Sequence, residues 1–526
     1  MLATTDRQQG FFDAAWCSEL VPDDSIYSLL AERGDRIVRD EDFADCYSER
    51  HGRPSIPPSL LAKVLLLAYR EGLSDERAMD AVRFDLRWKV ALDLPLDHPG
   101  FHPTSLVRFR ARLLLHGKER LVFERSLELA TELGLLSGQA EQILDSTPML
   151  GAAAVQDTAT LVRSAVRKLI DAVRAADPEA ADGLFSGLRF DYRKPREKPE
   201  GDWQDKTARM ELLGELALDA ARALRAVEQD DELSADERVA AAAHLLREIV
   251  GQEFEPADDE LPRPRGGRRG RQIVSAEDPE MRNARSSAAR PFTGYKLHAA
   301  ADAEAPLLTA IALSPGNEHD GQHAGTLVDQ QPKARRPTRV IGDTAYGNIE
   351  AREQLDERSI AVLAPVHSTS PKDGAIPKEE FRIDLEADTV TCPQSKTRPI
   401  YKPRPNRKPA NRRSAVGVRV AQFTESDCEP CALRERCAPT GRRRIRITRR
   451  EDLRQAALEA LSDPDERDHL HRVRPRIERL LGLIVHRYRA RKSRYLGARK
   501  STLQALWTAV LVNLHPIAAA LRAEAV

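Results

Sequence analysis

Apolar residues recur at helical spacing from about residue 20 to residue 135. In "SLLAKVLLLAYREGLSDERAMDAV", residues 59–82, Pro57 and Pro58 stand just ahead, where a helix tolerates proline. Gly72 is placed to stop the first helix, and Ser74-Asp75 to cap the next. "HPTSLVRFRARLL", residues 102–114, predicts a further helix capped at Thr104 or Ser105 and bearing alternating arginines. The period breaks at "AEQILDSTPM", where Ile143 and Leu144 predict a short strand ending in Asp145. Helical spacing returns from residue 151 to about 250, and "PADDELPRPRGGRRGRQ", residues 256–272, reads as an exposed linker. Strand signals follow in "FTGYKLHAAAD", "PLLTAIALSPGNEHD", "RRPTRVIGDTAYGN" and "ERSIAVLAPV". Gly294, in the first of these, marks a bend or a close backbone approach. Residues 370 to about 450 read as irregular, proline-spotted and basic, and helix resumes at about 451.

The totals narrow the class. A chain of 526 residues is longer than one compact domain. Lys+Arg and Asp+Glu are both 82, so a uniformly basic coat is excluded, while local basic surfaces are not. No apolar run reaches the roughly 20 residues that span a bilayer, and "MLATTDRQQGFFDAAW" lacks the basic start and apolar stretch of a secretory signal. Six cysteines in this length make no disulfide scaffold, so the expected compartment is the reducing cytoplasm, with no membrane partner.

Three acids are presented at defined places. Asp145 and Asp343 follow short apolar runs, and Glu478 lies in a helix whose Ile477, Leu480, Leu481 and Ile484 form an apolar face. Two strand-end carboxylates and one on a packed helix can meet at one point and hold hard divalent cations. Two such ions, roughly 3.5–4 Å apart, serve phosphoryl transfer. Taken singly, each acid has a plain structural alternative, since an aspartate after a strand is commonly a turn residue.

The ordered set "LDSTPM", "FTGYKLH", "VIGDTAYGN" and "RPRIERLLG", behind a helical N-terminal region, resembles a bacterial insertion-sequence transposase of the DDE class. The resemblance implies a ribonuclease-H-like mixed sheet flanked by helices (α+β/α/β mixed), with Asp145, Asp343 and Glu478 holding two Mg²⁺ or Mn²⁺ ions. It implies double-stranded DNA as partner, both element ends and target, and a homodimer as the active assembly. The expected layout is a DNA-binding helical domain at 1–135, the first catalytic strand at 136–150, and a helical insertion with linker at 151–272. Core strands follow at 273–365, a basic cysteine-containing insertion at 366–450, and C-terminal helices at 451–526. In this reading Gly342 leaves room beside Asp343 for an ion and a phosphate. Rival readings are a ribonuclease-H-like nuclease without strand transfer and a catalytically weakened DNA-binding derivative.

Related elements carry a Tyr-x2-Arg-x3-Glu-x6-Lys pattern on the last helix. Arg474 matches its arginine, whereas His471 and Val485 occupy the tyrosine and lysine positions. His486, Arg487 or Lys492 are candidates to replace that lysine. DNA-contact candidates are Arg474, Lys296, Arg108, Arg110 and Arg487, together with the arginine runs "NRRSAVGVRV" and "GRRRIRITRR". Lys296 and His298 share a strand face next to the first acid, and His319 and Asp320 are expected to flank the site. Cys392, Cys428, Cys431 and Cys437 are a candidate zinc set; the alternative is four reduced, partly buried thiols.

Overall fold

The computed structural model describes residues 2–3, 14–48, 54–136, 141–194, 197–255, 261–266, 271–287, 289–366, 376–403, 419–438 and 441–524. Part of the linker expected at 256–272, and residues 411–418 of the first arginine run, lie outside the described residues.

The helical punctuation of the first hundred residues works as physical chemistry requires. Pro58 occupies the first turn of Pro58–Glu71, where no helical N–H is lost, and Gly72 closes that helix with a left-handed φ of 72°. The Ser74 hydroxyl then accepts the Arg77 amide and caps Asp75–Phe84. Thr104–Leu115 departs from expectation, because Pro103 holds the cap position and no side chain caps the helix.

A mixed sheet is built from β1 (Glu141–Leu150), β2 (Arg282–Ser287), β3 (Arg290–Asp302), β4 (Leu308–Pro315), β5 (Arg339–Ile341) and β6 (Ala361–Leu363). β1 runs antiparallel to β3 on one side and parallel to β5 on the other, and β5 runs parallel to β6. β2 and β4 both pair with β3, along its first and second halves. At Gly294 (φ 147°) a side chain would collide with the Met149 carbonyl, so β1 and β3 approach too closely there for any Cβ.

One hydrophobic core joins the N-terminal helices to this sheet. Leu30, Leu66 and Phe109 belong to the same buried cluster as Ile143, Leu308, Ile477 and Trp507. The helix Ala498–Glu524 lies between them, against Pro58–Glu71, Leu121–Glu132 and β4. It is long and apolar enough to cross a membrane, contrary to the sequence expectation, but 78% of its apolar window is buried in the protein. It is therefore read as a core helix. The insertion after β1 has a separate core, in which Thr158–Ala176, Lys206–Glu228 and Glu237–Glu253 pack together.

The stretch expected to be irregular contains a second sheet. Arg382–Asp384, Thr389–Thr391, Thr397–Tyr401, Arg419–Gln422 and Arg444–Ile447 pair in chain order, each antiparallel to the next. Its strands are three to five residues long, too short for an alternation to stand out among prolines and arginines. It has its own core around Phe381, Val390, Phe423 and Ile447. The buried pair Lys378–Glu451, at 2.6 Å, ties it to the helix Glu451–Ser462. Burial pushes the Glu451 carboxyl up, but Lys378 and the Thr448 amide and hydroxyl outweigh it and hold the carboxyl below its usual range. A depressed carboxyl stabilises the fold above its unfolded pKa and loses that effect as pH falls. Glu451→Gln is therefore expected to cost about 3–5 kcal/mol at pH 7, by leaving the Lys378 ammonium uncompensated. Thermal melts should show that difference shrinking as pH falls below the carboxylate range.

Candidate active site

Asp145 and Asp343 are placed by the register of β1 and β5. Ile143 pairs with Ile341, so each aspartate stands two residues beyond the last paired position of adjacent parallel strands. Asp145 does not end its strand, as the sequence suggested. β1 continues to Leu150 along β3, with Asp145 opposite Ala299. What ends near Asp145 is the parallel pairing with β5.

Asp343 opens a turn. Its Oδ1 accepts the Ala345 and Tyr346 amides at 2.9 and 3.2 Å. This is the ordinary turn role of an aspartate, and the second oxygen remains outside it. Gly342 serves the same turn: a Cβ there would lie 2.7 Å from the Tyr346 Cβ. The expected clearance for an ion and a phosphate is thus, in this structure, clearance for Tyr346.

Glu478 comes from Pro475–Gly482, whose Ile477, Leu480 and Leu481 are buried and which packs against β1 and β3. Arg474, one turn earlier, holds the Glu478 carboxylate at 3.2 Å. The Arg474 Nε is buried and has no hydrogen-bond partner.

The three acids share one electrostatic field. The Asp145 carboxyl is pushed up to about 6, first by burial; the Ser146 amide and Arg474 oppose this, and the charges of Asp343 and Glu478 add to it. They do not form a closed ligand set here. Among the described residues no three His, Cys, Asp or Glu side chains are gathered closely enough to hold a metal ion. Glu478 is half exposed and paired with Arg474. The donor chemistry nevertheless fits a hard cation: oxygen ligands only, with like charges crowded around a half-buried carboxyl.

A polar network supports this pole of the sheet, and the sequence revealed only part of it. Lys296 Nζ donates to Asp320 at 2.7 Å and to the Glu318 carbonyl at 2.8 Å. The Ser146 hydroxyl donates to the other Asp320 oxygen at 3.0 Å. Asp320 therefore joins the loop after β4 to the residue following Asp145. Buried His298 bonds the Tyr346 hydroxyl at 3.0 Å and the Ser314 hydroxyl at 2.9 Å, and stacks on His323 at 4.3 Å. Burial, then His323 and Lys296, hold His298 well below the usual histidine range. The alternation of Lys296 and His298 signalled this face. Their partners lie 16 to 48 residues away and carried no signal of their own.

The DNA-contact candidates divide. Arg108 and Arg487 are exposed. Lys296 is engaged by Asp320 and is no solvated edge residue. Arg110 is corrected: the residue is 8% exposed, and its guanidinium donates both amino groups to Asp75 and lies over the Tyr495 ring. It is a packing residue, because α-helical spacing turns residue 110 inward where 108 faces out. Val485, at the family's lysine position, is buried, whereas the Arg491 guanidinium reaches Thr147 and the Pro148 carbonyl of β1.

The four late cysteines line one cavity of about 360 Å³ in the second sheet's core. Cys392 Sγ accepts the Lys396 amide and Cys431 Sγ the Leu433 amide, both at 3.4 Å. Burial, together with the other three thiols, holds the Cys437 thiol above its usual range, against Arg443.

Comparison with known families matches residues 16–112 to the family described as Transposase domain (DUF772) and residues 268–514 to Transposase DDE domain. Asp343 and Glu478 fall inside the second match; Asp145 and the helical insertion lie between the two. Neither curated proteins nor solved structures give a match. With both transposase families found in order along one chain, and with its mixed sheet flanked by helices behind a helical N-terminal region, the protein belongs to the DDE transposases of insertion sequences.

Proposed function

We propose that the protein binds the inverted-repeat ends of its own element and cleaves and transfers DNA strands, with Asp145, Asp343 and Glu478 as its acidic triad. The observation that carries this is the register of β1 and β5, which sets two aspartates side by side in the field of a third acid. The order β4–β3–β1–β5–β6, with β3 antiparallel between β4 and β1 and the last three strands parallel, supports a ribonuclease-H-like core. Two divalent cations, Mg²⁺ or Mn²⁺, would be held by the three acids and would neutralise charge on the reacting phosphate and polarise its oxygens. Rigid β1, braced by Ser146–Asp320–Lys296, aims Asp145; the capped turn aims Asp343. Arg474 ties Glu478 back, and an arriving DNA phosphate competes for that guanidinium and frees the carboxylate. The active assembly in this reading is a homodimer holding two ends in the cytoplasm. Paired duplexes carrying the element's ends, incubated with Mg²⁺ and a target plasmid, should yield joined products. Cleavage without joining identifies a nuclease instead, and DNA binding with neither step identifies an inactive derivative.

Within the same reading, Cys392, Cys428, Cys431 and Cys437, which line one cavity without forming a closed ligand set in this structure, would draw together around one structural zinc ion. Elemental analysis of protein purified under reducing conditions should find about one zinc per chain, lost in Cys428→Ser/Cys431→Ser, in keeping with a four-ligand site. Zinc-free protein with four titratable thiols at these positions would show that they are simply reduced cysteines.

A further inference from the structure

The segment after the Glu478 helix, "HRYRARKSRY", residues 486–495, carries five Lys and Arg side chains in ten positions. It runs along a seam between the last helices and the N-terminal helices. Arg491 reaches β1, as described above. Arg494 donates to the Leu73 carbonyl at 2.8 Å and lies over the Tyr69 ring. Arg489, with φ of 56°, covers Gly72 so closely that its Nη1 would sit 3.0 Å from a Cβ there. Packing has thus laid a basic strip across the seam and left its first member, Arg487, exposed.

Arg487 opens into a cavity of about 210 Å³ shared with Arg70 from the N-terminal helices and Arg522 from the last helix. Tyr488 and His515, bonded to each other at 2.7 Å, line its wall. Among the described residues neither Arg70 nor Arg487 makes an ion pair, and Arg522 donates only to the Asp23 carbonyl, at 3.5 Å. The Arg70 Nε is buried with no hydrogen-bond partner, while its guanidinium stacks over Tyr27. Asp24 lines the same cavity but pairs with none of the three. After burial, the charges of Arg487 and Arg70 hold His515 below the usual histidine range, so the imidazole adds no cation of its own. Guanidinium groups from separate elements, facing one cavity without a protein counter-ion, suit an external anion, and a tetrahedral phosphate matches their forked donors.

We propose that the cavity framed by Arg70, Arg487 and Arg522 binds a phosphodiester of duplex DNA, and that the strip from Arg487 to Arg494 leads that backbone toward β1. This rests on the reading of the protein as one that acts on DNA. It places the DNA-binding surface on the seam, so that the N-terminal helices contribute through Arg70 as well as through Arg108. Polymeric DNA is favoured over a free phosphate or nucleotide because the cations continue beyond the cavity as a strip.

The test is binding of a labelled linear duplex by the full chain, followed by fluorescence anisotropy across a salt series. Arg487→Gln changes an exposed side chain; Arg70→Gln and the double variant complete the set, with Arg193→Gln in the insertion as control. Each single variant should bind roughly tenfold more weakly, on duplexes of any sequence, and lower the slope of log K against log salt by about 0.9. Arg70→Lys, which keeps the charge at the stacked position, should retain more affinity than Arg70→Gln. If the wild-type chain binds duplex and the double variant matches it in affinity and slope, the cavity is not a backbone site and the inference fails alone. The same holds if the double variant loses only binding of inorganic phosphate or a mononucleotide. If the wild-type chain does not bind duplex at all, the reading of the protein as DNA-acting fails, and this inference with it.

Discussion

Asparagine at position 343 is expected to lower strand cleavage by on the order of 10³-fold or more, about 4 kcal/mol of transition-state stabilisation. The substitution is chosen because it separates two roles that one side chain fills. Asp343 Oδ1 accepts two turn amides, and an asparagine oxygen can accept the same bonds, so the turn before Tyr346 should survive. What is lost is a formal charge at the point where the parallel pairing of β1 and β5 stops. DNA affinity should change little, because it comes from lysines and arginines on other elements. Single-turnover cleavage of a labelled end duplex, with anisotropy and a thermal melt on the same protein, gives the three readouts. Wild-type cleavage by Asp343→Asn would leave Asp343 a turn residue and nothing more, and the proposed triad would fall with it.

How far the sequence discloses this arrangement depends on the range of each interaction. Caps and stops are local, so Gly72 and Ser74 were legible from their neighbours alone. The strand β5 was legible because "RVIG" is short, apolar and followed by turn residues. The strand that carries Asp145 was legible, but its end was not. Pairing of Ser146–Leu150 with β3 spans some 150 residues, and a polar run ending in proline gives no local sign of it. Arg108 and Arg110 show the same limit in a helix. Their spacing says that they face different ways, but which one meets Asp75 depends on how helices pack. The second sheet was hidden for another reason: its strands are so short that charge and proline dominate any window over them. The acids, finally, are proposed as a set from their order and the family resemblance. Spacing alone could not have distinguished Asp343 the turn residue from Asp343 the ligand, since it does the first in either case.

The shared core makes a second large effect predictable. Trp507→Ala should cost about 3–5 kcal/mol, the range for removing a buried aromatic side chain and leaving a cavity. Trp507 is 1% exposed, and its ring lies 6.4 Å from that of Tyr69, on the helix Pro58–Glu71. Its helix also packs on β4, so the cavity would open between the N-terminal helices and the mixed sheet. Both should therefore weaken together. Hydrogen exchange in mild urea should show amides of Pro58–Glu71 and of β3 losing protection by a similar factor. Leu246→Ala provides the contrast, since Leu246 is fully buried in the separate core of the insertion. Its cost of about 2–5 kcal/mol should appear in Thr158–Ala176 and Glu237–Glu253 and leave β3 protected. If Trp507→Ala instead loosens the N-terminal helices while β3 is untouched, those helices fold as a unit of their own. In that case the seam on which Arg70 and Arg487 meet would be a mobile contact instead of a fixed surface.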